Sequence, residues 1–232
     1  MIANITVSAS IRTRFLLGFL LANTAIAVVA AVLLYNRADP PPLIQGVLLP
    51  DARELQSFSL YDHHDQVFTN EDLKGSWHLV SYGFTTCPDI CPTTLSELAV
   101  VASRLQEDGS DDLRFLFYTV DHRRDTSSQI ASYLPFFHPD FIGLTHRDDS
   151  NNPHLPFEKS LGIVAQLVPV IEEGVAPDAN NYKVYHGATL FLINPQGQLQ
   201  AILEADDNKP GVRAFDQEKI LRDYLAIRRY LG

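Results

Sequence analysis

A long run of hydrophobic positions lies close to the beginning of the chain. Residues 15–35 contain no charged side chain over 21 positions, which matches the ~20 residues that a helix needs to cross the apolar core of a bilayer. No polar face repeats at helical spacing within this run, whereas a surface helix of a soluble domain would show one. The pattern therefore predicts a transmembrane helix over residues 15–35.

A cleaved signal peptide is the alternative interpretation of this run. Ala25 and Ala27 form the A-x-A pattern that a signal peptidase recognises. The apolar run nevertheless continues to Tyr35, beyond the ~7–15 residues of a signal-peptide core. An uncleaved anchor is therefore the favoured interpretation.

The charges on either side of the run predict its orientation. Arg12 and Arg14 precede it without a neighbouring acid, whereas Arg37 and Asp39 follow it and nearly cancel. The positive-inside rule then leaves residues 1–14 in the cytoplasm and exports the rest. We expect a single-pass protein of the bacterial inner membrane with its C-terminal domain in the periplasm.

Beyond the predicted anchor, residues 36–54 have the composition of a tether. Pro40, Pro41 and Pro42 predict a stiff, extended stretch. Residues 55–232 have the length of one domain. The sequence thus predicts a cytoplasmic arm, an anchor, a tether and one exported domain.

Within residues 55–232, hydrophobic patterns of strands and helices alternate. The run at 113–120 is almost continuously apolar, as in the middle strands of a parallel sheet, and the run at 93–105 has apolar residues at helical spacing. Strands are predicted at 55–60, 78–84, 113–120, 141–144 and 163–168, helices at 93–105, 126–137, 156–161 and 215–230, and a hairpin at 188–203. This order predicts an α/β fold, namely a thioredoxin-like domain whose central mixed sheet is flanked by helices.

Composition narrows the possible functions. Hydrophobic residues make up 46% of the 232 residues and charged residues 20%, so a packed core is expected. The formal net charge of −10 argues against a nucleic-acid binder, because phosphate contacts need a basic face. Two cysteines are too few for a disulfide-rich scaffold or a four-cysteine zinc site. They leave one redox pair, or a metal site that other residues complete.

The two cysteines lie where a predicted buried strand gives way to a helix. Residues 86–92 read TCPDICP, with Cys87 and Cys91 four positions apart. At helical spacing both side chains share one face, which allows either a disulfide or two sulfur ligands to one metal. A helix N-terminus also favours the thiolate. A purely structural disulfide or two inert thiols are the alternatives, although a bridge that closes so short a loop constrains the unfolded chain little.

Four features resemble the Sco/SenC family of membrane-anchored, thioredoxin-like copper proteins that serve cytochrome oxidase assembly. They are the C-x-x-x-C spacing at 86–92, the segment TVDHRRDT at 119–126, the segment VYHGATLFLINPQG at 184–197, and the N-terminal apolar span. The similarity covers about residues 45–230.

This resemblance implies three copper ligands, at Cys87, Cys91 and His186. Two thiolates and an imidazole suit Cu(I), and with a further ligand they can hold Cu(II), although zinc accepts the same set. The other histidines are expected to occupy ordinary core or surface positions. His78 is expected in the core at the start of a strand. Solvated side chains are expected at His63, His64, His122, His138, His146 and His154.

Two acids of the second motif also match the family pattern. Asp121 and Asp125 resemble its paired acids. This implies that they position the copper ligands from outside the coordination sphere or help to dock a partner. Capping of the helix that starts at Thr126 is the alternative for Asp125. Asp89, between the cysteines, is expected to orient the loop or cap the following helix.

Three neighbours of the ligands depart from the family pattern. Thr86 stands where many relatives have His, Tyr185 where they have Asp, and Gly187 where they have Ser. None of the three removes a ligand. Changed neighbours nevertheless alter ligand orientation and redox behaviour. A member of the family with a mainly redox function therefore remains an alternative.

Three functions follow from these residues. The leading hypothesis is a copper metallochaperone, not an enzyme, that helps to metallate the binuclear copper site of cytochrome c oxidase. Its expected partners are the copper-site subunit of the oxidase and other copper chaperones. The alternatives are a membrane-anchored thiol-disulfide oxidoreductase, with Cys87 as nucleophile and Cys91 as resolving thiol, and a copper or redox sensor.

Overall fold

The computed structural model describes residues 5–35, 40–110, 112–147, 154–170, 181–209 and 212–232. The chain divides into two compact units, Met1–Pro41 and Pro42–Gly232. The predicted boundaries at 14/15 and 35/36 lie inside the first unit or at its edge.

Among its described residues, the first unit has one long helix, α1 (Ile5–Tyr35). Its segment Thr13–Val32 has a mean hydropathy of 2.3. The polar side chains of Asn23 and Thr24 donate to the carbonyls of Phe19 and Leu20, four residues earlier, at 2.8 and 2.7 Å. Polar groups satisfied inside a helix are tolerated in hydrocarbon. Among the described residues this is the one helix that is long and apolar enough to cross a bilayer.

The second unit is built on an eight-stranded mixed sheet flanked by helices. Its strands, in chain order, are β1 (Gly46–Glu54), β2 (Ser59–Asp62), β3 (Val67–Thr69), β4 (Trp77–Gly83), β5 (Leu113–Thr119), β6 (Ile142–Thr145), β7 (Ala165–Pro169), β8 (Tyr182–His186), β9 (Thr189–Ile193), β10 (Gln198–Glu204), β11 (Asp206–Lys209) and β12 (Val212–Ala214). Its helices are α2 (Ile90–Glu107), α3 (Ser127–Tyr133), α4 (Leu155–Leu161) and α5 (Gln217–Leu231), with 3₁₀ turns at Asn70–Leu73 and Leu134–Phe136. The sheet order is β1-β10-β9-β4-β5-β6-β2-β3.

The centre of this sheet is covered on both faces. Consecutive residues of β4 enter different cores, since Leu79 belongs to the cluster under α2 and α5 and Val80 to the cluster under α4. Both side chains are fully buried. Because successive side chains of a strand point to opposite faces, a strand with two covered faces reads as a continuous apolar run. This is why the patterns at 78–84 and 113–120 predicted central strands.

Parallel pairing brings several strand ends to one edge of the sheet. Strand β5 lies between β4 and β6 and is parallel to both, whereas β9 pairs with β4 in the antiparallel sense. The carboxyl ends of β4, β5 and β6 therefore meet at the same edge. The cysteine loop, the acidic motif and His146 all follow these ends along the chain.

The edges of the fold differ from the sequence prediction. Strand β1 covers residues 46–54, which the sequence analysis assigned to the tether, and pairs with β10 through an irregular register that shifts between Leu48 and Arg53. Pro50 and largely exposed side chains fit an edge strand, and they give no apolar run that would reveal it. The strand predicted at 55–60 is also displaced, since β2 begins only at Ser59.

The strand predicted at 163–168 exists but lies outside the central sheet. It is β7, which forms a separate two-stranded ribbon with β8. The sequence analysis missed β8, whose last residue is His186. This ribbon carries one side of the candidate site, because His186 is the last residue of β8.

Close packing between β6 and α3 generates a stability prediction at Gly143. A Cβ atom on Gly143 would lie 2.1 Å from Cγ2 of Ile130, which is fully buried. We expect Gly143→Ala to lower the free energy of unfolding by about 1–3 kcal/mol, the usual cost of overpacking a core. Urea unfolding of the purified variant measures this change.

A double-mutant cycle with Ile130→Ala isolates the clash. Removing the methyl group that the new Cβ meets relieves the strain, so the double variant should be less destabilised than the two single variants summed. Additive effects would contradict the packing described here.

Candidate metal centre

The cysteine loop connects the end of β4 to the start of α2. Cys91 is the second residue of α2, whereas Cys87 precedes the helix, and its N–H donates to the carbonyl of Phe84 at 3.2 Å. The two thiols therefore do not share a helical face as expected; the loop brings them together instead. Asp89 occupies the N-cap position of α2 without a side-chain capping bond, so its predicted capping role is wrong.

A glycine in β4 makes room for the inner thiol. A Cβ atom on Gly83 would lie 2.4 Å from Sγ of Cys91. Cys91 is buried and Cys87 is half-buried, and both are free thiols. The missing side chain at Gly83 thus lets the buried sulfur pack directly against the strand.

His186 approaches the same thiol from the other side. Its Nε2 atom lies 3.6 Å from Sγ of Cys91, and its Nδ1 atom lies 2.7 Å from the carbonyl oxygen of Gly187. A carbonyl only accepts, so Nδ1 donates to it, and Nε2 faces the sulfur. The aromatic rings of Tyr82 and Phe84 stand edge-on to the imidazole, at 5.6 and 5.7 Å.

The three side chains bring their donor atoms into one small volume. One ligand atom from each of Cys87, Cys91 and His186 lies within 4.8 Å of the others. Two sulfurs and one imidazole nitrogen form a soft donor set, which suits Cu(I) and also accepts zinc. The structure thus gathers the three residues that the sequence analysis singled out.

The two thiols share protons unequally. The Cys91 thiol donates a hydrogen bond to Cys87, and with backbone N–H groups of the loop it lowers the pKa of Cys87 to about 5. The pKa of Cys91 is raised, because it is the donor to Cys87 and because it is buried. At neutral pH the pair therefore holds one thiolate, at the more exposed sulfur, and one buried thiol.

Asp125 ties the cysteine loop to the end of β5. Its carboxylate accepts from the N–H and the hydroxyl of Thr85, at 2.8 and 2.6 Å, and from the hydroxyl of Thr119 at 2.6 Å. Burial raises the pKa of Asp125, although these hydrogen bonds oppose the rise. Capping of α3 falls to Thr126 instead, whose hydroxyl accepts from the N–H of Gln129. The alternative role predicted for Asp125 is therefore wrong.

Asp121 connects β8, the strand that ends in His186, to the same end of β5. Its fully buried carboxylate accepts from Nε of Arg124 and from the hydroxyl of Tyr182, both at 2.5 Å. Tyr182 is the first residue of β8. Burial and the neighbouring Asp121 raise the pKa of Tyr182 to about 12, so its hydroxyl stays a donor. Asp121 therefore holds the first residue of the strand that ends in His186.

Sequence reasoning missed three residues that shape this site: Gly83, Thr85 and Tyr182. Gly83 and Thr85 lie in or beside a predicted strand, where nothing distinguishes them from ordinary core positions. Tyr182 has no local signal, because its role depends on a partner 61 residues away.

The three departures from the family pattern lie at the rim of the site. Thr86 and Tyr185 are exposed, and Tyr185 retains 55% of its accessible surface. Gly187 is different, since a Cβ atom there would lie 2.8 Å from the hydroxyl oxygen of Tyr82. In this chain a serine at position 187 would require Tyr82 to move.

Comparisons with known proteins agree with this geometry. The family model described as SCO1/SenC matches residues 48–220. A Stutzerimonas stutzeri protein that is named for copper binding is 39% identical over 161 residues, which span 68% of this chain and 73% of that protein. The crystal structure of Arabidopsis thaliana ScoI with copper bound has a TM-score of 0.60 at 28% identity and covers 76% of this chain and 99% of its own.

The copper-bound crystal structure of yeast Sco1 is similar to the same extent. Its TM-score is 0.62 at 26% identity, with 76% of this chain and 89% of the yeast chain covered. Together these structures establish the predicted thioredoxin-like fold.

The proton sharing of the cysteine pair predicts the pH dependence of Cys87. With a pKa of about 5, Cys87 should react with iodoacetamide as a thiolate already at pH 6, where a free cysteine of pKa ≈ 8.5 is almost unreactive. Its alkylation rate should fall only as the pH drops through about 5, because protonation then removes the thiolate. Peptide mass spectrometry measures the rate at each pH.

Cys91→Ala provides the matched variant for this measurement. It deletes the thiol that donates to the thiolate, so the pKa of Cys87 should rise and the alkylation profile should move to higher pH. An unchanged profile would mean that the Cys91 hydrogen bond does not set the reactivity.

Proposed function

The chain belongs to the SCO1/SenC family, and we propose that it is a copper metallochaperone that holds copper through Cys87, Cys91 and His186. The proposed acceptor is the binuclear copper site of cytochrome c oxidase, the enzyme whose assembly this family serves. The observation that carries the proposal is the convergence of two sulfurs and one imidazole nitrogen within 4.8 Å. Copper is the cargo in this function, and no substrate is chemically converted.

The donor set fits a cargo that must be released again. Two thiolates and one imidazole give copper few ligands, so an incoming ligand of the acceptor can add before a donor ligand leaves. The half-buried Cys87 is the accessible sulfur, whereas Cys91 is enclosed. An incoming ligand of the acceptor therefore approaches the metal from the side of Cys87.

The helix α1 supports a position at a membrane surface. Its length and hydropathy suit a bilayer, and Arg12 and Arg14 precede the apolar segment. We infer an inner-membrane anchor with the folded unit in the periplasm. Such an anchor keeps the copper donor close to a membrane-bound acceptor, the copper-site subunit of the oxidase.

Thiol-disulfide exchange is the second candidate function, and the low pKa of Cys87 favours it. A thiolate at the more exposed sulfur attacks the disulfide of a partner, and the displaced partner sulfur leaves as a thiolate. Cys91, once deprotonated, then attacks the mixed disulfide, so the partner is reduced while Cys87 and Cys91 become oxidised. This chemistry has no need of His186 as a ligand.

Copper titration separates the two functions. We expect the reduced chain to bind one Cu(I) in anaerobic competition against a chelator. Cys87→Ser, Cys91→Ser and His186→Ala should each weaken this affinity by at least about tenfold, because each removes a ligand. His64→Ala, at an exposed histidine outside the site, is the matched control and should leave the affinity unchanged.

Two results would contradict the proposed chaperone function. One is an affinity that His186→Ala leaves intact. The other is weak copper binding together with rapid reduction of a disulfide-bonded copper-site peptide. The second result would support the oxidoreductase.

The Asp121–Tyr182 contact predicts a longer-range effect on the same affinity. Tyr182→Phe keeps the ring that packs 4.2 Å from the Arg124 guanidinium but loses the hydrogen bond that fixes the start of β8. We expect Cu(I) affinity to fall by roughly 10-fold, the lower end of effects seen when the groups that orient metal ligands are removed.

Tyr185→Phe is the control for Tyr182→Phe, because it removes an exposed hydroxyl from the same strand. Its Cu(I) affinity should equal that of the unaltered chain. Equal affinities for both variants would show that Asp121 does not position His186.

A further inference from the structure

Three histidine rings are stacked beyond the ends of β5 and β6. The rings of His146 and His154 are nearly parallel with centroids 3.5 Å apart, and His122 lies 3.8 Å from His146 on the other side. The outer rings are 6.3 Å apart, so His146 is the middle ring. The expectation of solvated histidines fails at His138 and at His146, which keep only 8% and 4% of their accessible surface. The burial of His146 depends on contacts that are distant in sequence.

A hydrogen-bond chain fixes the tautomer of His146. The hydroxyl of Tyr118 lies 2.7 Å from Oε1 of Glu158 and 3.2 Å from Nδ1 of His146. A carboxylate only accepts, so the hydroxyl proton goes to Glu158. Nδ1 of His146 then donates to the hydroxyl oxygen, and Nε2 is left with its lone pair.

That lone pair is buried without a hydrogen bond. Among the described residues, Nε2 of His146 has no hydrogen-bond partner, which is unusual for a buried polar atom. A nitrogen whose ring is oriented through its other nitrogen by a hydroxyl–carboxylate pair is typical of a metal ligand. The lone pair therefore points to a ligand that completes it.

Two further donors lie beside the imidazole of His146. His154 precedes α4 and Glu158 is one helical turn later, so both face the same side of that helix. One ligand atom from each of His146, His154 and Glu158 lies within 4.8 Å of the others. Ligands around one zinc ion at ~2.0–2.1 Å lie roughly 3.3 Å apart, so small side-chain rotations would close the set.

We propose that His146, His154 and Glu158 form a second metal site, for a divalent transition-metal ion, Zn²⁺ or Cu²⁺. Two imidazoles and a carboxylate are borderline to hard donors that suit these ions, in contrast to the sulfur-rich site that suits Cu(I). The two sites share no residue, and this inference stands whether or not the proposed function holds. The chain would thus hold two metal ions of different chemical character at one edge of its sheet.

The positive charges around the site are compatible with a bound cation. Arg123 and Arg147 line the cavity beside His122 and His146, and positive charges oppose a cation. Arg147 is paired with Asp65 at 2.7 Å and lies over the ring of Tyr61, while Arg123 is exposed, where solvent screens its charge. Glu158 provides the negative charge within the ligand set itself.

The test uses the full, untagged chain in detergent with Cys87→Ser, Cys91→Ser and His186→Ala combined, so that the first site cannot compete. Zn²⁺ and Cu²⁺ are titrated separately, with bound metal measured after equilibrium dialysis. We expect one ion per chain, a raised Tm in the presence of the ion, and nitrogen hyperfine structure in the Cu²⁺ electron paramagnetic resonance spectrum. Binding of only one of the two ions supports the site and identifies its metal.

Variants in the same background assign the ligands. His154→Gln should weaken binding by at least about tenfold, as expected when a metal site loses a ligand, and abolish the Tm shift. His64→Gln, at an exposed histidine outside the cluster, should change neither. Glu158→Gln keeps an oxygen that can accept from Tyr118 while it removes the charge. If circular dichroism shows that His154→Gln is misfolded, Glu158→Gln decides whether the cluster binds the ion.

Two outcomes overturn the proposal. The first is a failure of the triple variant to bind either ion although its circular dichroism is that of the folded chain. The second is binding that survives both Glu158→Gln and His154→Gln, since the ion would then lie elsewhere.

Discussion

Two buried carboxylates at the end of β5 hold both halves of the candidate metal centre. Asp125 binds Thr85, two residues before Cys87, and Asp121 binds Tyr182 at the start of the strand that ends in His186. Both acids are fully buried, which is costly unless hydrogen bonds compensate. Each accepts at least two hydrogen bonds from side chains or backbone, so their burial is compensated by the contacts that fix the loop and the strand.

This arrangement explains how residues far apart in sequence reach one position. Cys91 and His186 are separated by 95 residues, yet their donor atoms lie 3.6 Å apart. The parallel strands β4, β5 and β6 bring their carboxyl ends to one edge, and the ribbon of β7 and β8 lies outside the sheet, tied to that edge through Tyr182. The stacked histidines follow β5 and β6 at the same edge, so the topology that builds the first cluster also builds the second.

The sequence was informative where local patterns decide the structure. Helices α2 and α5 followed from their apolar periodicity, and β4 and β5 followed from continuous apolar runs, because both of their faces are covered. Strand β1 was not predicted, because an edge strand with exposed side chains and Pro50 gives no such run. Cys87, Cys91 and His186 were found by motif, but the roles of Tyr182 and His146 depend on partners distant in sequence, which no local pattern reveals.

The proton on Cys91 determines how copper can enter the proposed site. Burial and the hydrogen bond to Cys87 keep Cys91 protonated, whereas Cys87 is already a thiolate at neutral pH. In the proposed function, copper would therefore meet the half-buried thiolate of Cys87 first, and the positive charge of the arriving metal would then make loss of the buried proton favourable. His186 would complete the set through Nε2, which lies 3.6 Å from the same sulfur. Release to an acceptor would reverse this order, because reprotonation of Cys91 would remove a ligand from the enclosed side while Cys87 still held the metal at the more accessible side.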